Sequence, residues 1–84
     1  MSKITNAEVL RRVQEMLKKE WNAILEPTDT LDKQPETIQA LLEPIRYRFQ
    51  DVGAVVKLTD LGTQKKVVDL SDLIWLKIPE SNKA

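Results

Sequence analysis

At 84 residues the chain is long enough for one domain with one small core, and with 42% hydrophobic and 31% charged residues it falls outside the disordered and membrane-spanning classes. It has no cysteine and no histidine, which excludes a disulfide framework, Ser-His-Asp and Cys-His nucleophile systems, and zinc sites built from imidazole and thiolate. Thirteen basic residues balance thirteen acidic ones, so the whole molecule lacks the positive excess that drives counterion release from nucleic acid.

The first predicted element is an amphipathic helix. Thr5 as N-cap with Glu8 three residues later makes a capping box, and Ile4 with Val9 makes the matching hydrophobic staple. Leu10, Val13, Leu17, Trp21 and Ile24 recur at three- and four-residue spacing, widened by Val9 and Met16, so one face is buried. Glu8 to Arg12 and Glu15 to Lys19 are acid-before-base pairs at i,i+4 on a solvated face. From Asn22 to Gln34 the apolar period is lost, and Pro27, Thr28, Asp29, Thr30 and Asp32 predict a loop. Pro35 suits the first position of a second helix, whose face carries Ile38, Leu41, Leu42, Ile45 and Phe49. Pro44 interrupts that run at a cost of about 3 kcal/mol in a helix interior, which predicts a kink or a stop at Glu43.

The last third reads as a β-hairpin. Two β-branched runs, one ending at Leu58 and one starting at Lys65, flank Asp60-Leu61-Gly62-Thr63. In register, Val56, Leu58, Val68 and Leu70 share one face, with Lys57 and Asp69 on the other. Leu73 to Ile78 forms a third strand ending at Pro79, or one helical turn capped by Ser71-Asp72. Residues 79–84 are expected to be a frayed polar tail. The expected architecture is therefore α+β: an N-terminal helix, a shorter or kinked second helix and a C-terminal hairpin, in one domain spanning residues 1–84. An all-α bundle is the alternative.

Little of the chain offers reaction chemistry. None of the serines has a base that the sequence can assign, and Asp29, Asp32 and Glu36 read as loop acids and helix caps. There is no calcium-loop rhythm, P-loop or dinucleotide fingerprint, the only glycines being Gly53 and Gly62. The expectation is no enzyme, no cofactor and no metal. Two groups of residues are candidates for recognition. Lys57, Lys65 and Lys66, with Arg46 and Arg48 around Tyr47, could hold phosphate and stack a base, although Asp60, Asp69 and Asp72 dilute them. Trp75, flanked by Ile74 and Leu76, is the candidate anchor for a protein partner. With no cysteine and no apolar stretch long enough for a signal peptide or membrane span, the expected location is the cytoplasm and no membrane is expected as a partner.

Two short patterns resemble known families. Ile4 to Val13 and Val68 to Ile74 are similar to the first and last helices of acyl carrier proteins, which implies a four-helix bundle. The serine that carries the family's phosphopantetheine arm is missing, because the region reads Asp32-Lys33-Gln34-Pro35-Glu36, and Ser71 lies in the wrong element. Val55 to Pro79 is similar to the late strands of Tudor-like SH3 barrels, with Leu61 where the turn usually carries an aromatic-cage tyrosine. The two patterns demand different structures for the same residues, so the chain is assigned to neither family. The functional expectation is a non-catalytic protein interaction or assembly module, with self-association through its C-terminal segment as one form of it. A degenerate carrier-like bundle without a phosphopantetheine site and a small nucleic-acid binder are the alternatives.

Overall fold

Helix α1 (Asn6–Trp21) begins where its capping residues place it: Thr5 is extended, and its Oγ1 accepts a hydrogen bond from the Glu8 amide at 3.2 Å. In the computed structural model, which describes residues 3–31 and 38–84, α1 buries Val9, Val13, Met16, Leu17 and Trp21 along one face. Asn22 ends it in the left-handed region at φ 53°, a conformation that asparagine tolerates better than most residues, with its amide turned back to the Leu17 carbonyl. The chain leaves the helical period there. Ile24, expected to extend the apolar stripe, is consequently 81% exposed.

Helix α2 (Leu42–Phe49) follows directly on a 3-10 turn over Ile38–Leu41 and buries Ile45 and Phe49. Pro44 does not end it. It is the third residue of the α-helix, where the amide has no carbonyl partner within the helix to lose. The expected helix start at Pro35 lies outside the described residues. A second 3-10 turn, Gln50–Val52, closes at Gly53 with φ 74°, where a Cβ would come within 3.3 Å of Asn82 Nδ2.

The predicted C-terminal hairpin is not there, and the α+β expectation is corrected to the all-α alternative. Among the described residues there is no strand, only isolated bridges pairing Ile4 with Lys83 and Thr30 with Lys66. Helix α3 (Val67–Leu76) replaces both the second strand and most of the third, burying Val67, Leu70, Ser71 and Ile74 at helical spacing. Its start is set by Asp69, whose Oδ2 accepts the Lys66 amide at 3.0 Å and the Lys65 amide at 3.3 Å. The same Lys-x-x-Asp arrangement opens a 3-10 turn over Leu58–Asp60, where Asp60 Oδ2 accepts the Lys57 amide at 2.9 Å. Val67 and Val68 sit in the first turn of α3, with no preceding turn to crowd their branched side chains. Their amides, which no helix could satisfy, donate to the carbonyls of Asp29 at 3.0 Å and Pro27 at 2.9 Å.

The tail expected to fray is also tied down. The Ile4 amide donates to the Asn82 carbonyl and the Ala84 amide to the Ile4 carbonyl, each at 2.9 Å. Asn82 Nδ2 donates to the Val52 carbonyl at 2.9 Å. The buried faces of the three helices, with Leu31, Val56, Leu61 and Ile78 from the connections, make one hydrophobic cluster, and α1 packs chiefly on α3.

Candidate functional site

Helical geometry redistributes the Trp75 trio. Successive side chains in a helix point about 100° apart rather than to alternate faces, so the three neighbours meet three environments. Ile74 is fully buried and belongs to the core, which corrects its expected place on a partner surface. Trp75 is half-buried against the core, with Lys83 Nζ over its ring at 4.8 Å from the centroid. Leu76 is 73% exposed.

Leu76 has exposed company from another part of the chain. The Val55 amide donates to the Lys77 carbonyl at 3.3 Å, and Lys77 Nζ pairs with Asp60 at 3.4 Å. These two ties hold segment 55–60 across the end of α3, so Val55 (64% exposed) and Leu58 (53% exposed) stand beside the same crossing as Leu76. The Asp60 carboxyl is held below its ordinary range, first by the Lys57 amide and then by Lys77. Hairpin register assigns Leu58 to the buried face, where the structure leaves it exposed; Val55 has the register of Lys57 and is not singled out by the sequence. The signal that could have found them is the Lys57-x-x-Asp60 turn, which breaks that register.

The basic candidates divide into separate groups. Arg46 pairs with Glu43 at 3.5 Å and donates through Nε to the Val56 carbonyl at 3.4 Å, which places it near Lys57. Lys65 and Lys66 stand exposed at the other end of segment 61–66, where Lys66 bridges Thr30. Tyr47 is 79% exposed on α2. It separates two shallow depressions, one lined by Arg12, Glu15, Arg48, Gln50 and Asp51, the other by Lys19, Glu20, Glu43, Pro44 and Arg48. Both depressions mix charge signs, which gives phosphate no continuous basic track.

Arg12 is structural. Its guanidinium holds Asp51 by two bonds, 2.9 and 3.2 Å, donates to the Arg48 carbonyl at 2.9 Å, and lies 5.6 Å from the centre of the Phe49 ring. It therefore fastens α1 to the end of α2. The hydrogen bond from Arg12 lowers the Asp51 pKa. A lowered carboxyl pKa contributes stability above the unfolded value of about 3.9 and loses it as pH falls through the folded value. Because the Asp51 side chain is 49% exposed, the contribution is expected to be no more than about 1 kcal/mol. Urea unfolding should show wild type exceeding Asp51→Asn at pH 7, with the gap closing as pH is lowered below about 4. A gap that persists in acid would assign the effect to something other than the charged pair.

Two of the residues weighed for chemistry, Ser71 and Asp29, are hidden or engaged. Ser71 is 1% exposed inside α3. Asp29 Oδ2 accepts the Glu26 amide at 2.7 Å, while Asp32 and Glu36 lie outside the described residues. Among the described residues no three acids gather where they could hold a metal ion, and no helix is long and apolar enough to cross a membrane. No family model, curated protein or solved structure matches the chain.

Proposed function

We propose that this chain is a non-catalytic protein-interaction module of the reducing cytoplasm that receives a protein partner on the patch formed by Val55, Leu58 and Leu76. The observation that carries the reading is that three of the five exposed large hydrophobics among the described residues, Val55, Leu58 and Leu76, lie on segments tied to each other where residues 55–60 cross the end of α3. Single exposed leucines are ordinary, whereas apolar residues contributed by different parts of a small chain to one patch are characteristic of binding surfaces. The lack of cysteine supports the reducing compartment. The nucleic-acid alternative draws less support, since its cations are dispersed and interleaved with acids. The carrier-like alternative, which already lacked a phosphopantetheine site, draws support from the helical fold class alone.

The test is a photo-crosslinking amino acid placed at Leu76, with one at exposed Ala7 as control, in the cells from which the chain comes. Protein adducts are expected from position 76 and not from position 7. Absence of any adduct at position 76 overturns the reading.

A further inference from the structure

We infer that the partner received by the Val55, Leu58 and Leu76 patch is a second copy of this chain, paired about a two-fold axis; the inference rests on the docking reading above. What identifies the partner is the charge around the apolar centre. On the side of the 3-10 turn, Lys57 is exposed and, among the described residues, has no carboxylate within ion-pair distance. The neighbouring Asp60 is already held by Lys77 at 3.4 Å. The Asp60 charge is thus matched by Lys77, and the unpaired Lys57 leaves this margin with a positive charge.

On the side of α3, Asp69, Asp72 and Leu76 are the exposed positions of the helix, and Asp72 precedes Leu76 by one turn. Asp69 has its carboxylate engaged by the Lys65 and Lys66 amides. Asp72 has neither a side-chain hydrogen bond nor an ion pair among the described residues; Lys65 and Lys66 lie beyond Asp69 at the far end of the helix, so beside Leu76 the α3 margin carries the negative charge of Asp72. An apolar centre with one positive and one negative margin is complementary to itself. A two-fold rotation sets Lys57 of each copy against Asp72 of the other, at both ends, while the apolar residues close the middle. A partner charged with one sign would confront one of the two margins with its like.

Sedimentation equilibrium of the full chain tests this. A concentration-dependent dimer is expected, weakened by salt. Lys57→Asp and Asp72→Lys each put like charges together at both ends of the dimer, and each should raise its Kd at least about tenfold. Both positions are exposed, and unchanged far-UV circular dichroism checks that the helices persist. An equimolar mixture of the two variants should recover dimer, because every margin of one then faces its opposite on the other. A chain that stays monomeric up to about 1 mM, or a mixture no tighter than its components, overturns the self-pairing. If position 76 crosslinks a different protein while the chain alone is monomeric, self-pairing fails and the docking reading stands. If nothing crosslinks, both fail.

Discussion

Replacing Phe49 with alanine is expected to cost about 3 to 5 kcal/mol, enough to populate the unfolded state of a chain this size. Phe49 is the largest of the fully buried side chains and stands at the junction of α2, the following 3-10 turn and α1. Its ring supports the Arg12 guanidinium, and its carbonyl accepts the Ala54 amide at 3.3 Å, so the neighbouring backbone is pinned and has little freedom to fill a void. At roughly 0.05 to 0.15 kcal/mol per residue the whole chain holds only about 4 to 13 kcal/mol. The loss is therefore a large fraction of the total and at the low end the whole of it. Urea titration followed by circular dichroism measures it, and Phe49→Leu, which keeps most of the volume, should lose less than about 1.5 kcal/mol. An alanine variant that loses as little as the leucine one would show that the site collapses around the cavity.

The second large effect separates Trp75 from its neighbour. Trp75→Ala is expected to cost about 2 to 3 kcal/mol, below the range for full burial because the ring is only partly covered. Two losses combine. The ring leaves the core, and Lys83 loses the surface over which its ammonium sits at 4.8 Å, which loosens the backbone pairing of Asn82 and Ala84 with Ile4. Leu76→Ala removes a side chain that is 73% exposed and should change stability by no more than about 0.5 kcal/mol. Faster amide exchange at Ile4 and Ala84 in the tryptophan variant alone is the specific signature. Equal losses in the two variants would contradict the assignment of Trp75 to the core margin and Leu76 to the surface.

The first helix was legible because several local signals agree. Thr5 can accept a bond from the amide three residues on, and the stripe from Val9 to Trp21 sustains one period over four turns. Its far end was not legible. Ile24 keeps helical spacing in the sequence, but the left-handed turn at Asn22 precedes it, and spacing alone carries no information about a turn that has already taken place. The same holds for Pro44, whose cost depends on whether a full turn of α-helix lies before it, and here a 3-10 turn does.

Composition by itself determined which chemistries the chain can never perform, since no fold supplies an absent thiol or imidazole. The last third was decided only by tertiary structure. Over so short a run, Val67, Val68, Leu70, Leu73 and Ile74 fit a strand pair and a helix almost equally, and their branched residues favour the strand. What tips the balance is distant in the chain: the carbonyls of Pro27 and Asp29 take the first amides of α3, and α1 offers an apolar face shaped for a helix. A hairpin would have met neither need. The patch at Val55, Leu58 and Leu76 is a product of that choice, because only the crossing of segment 55–60 over the end of a helix brings those three residues together.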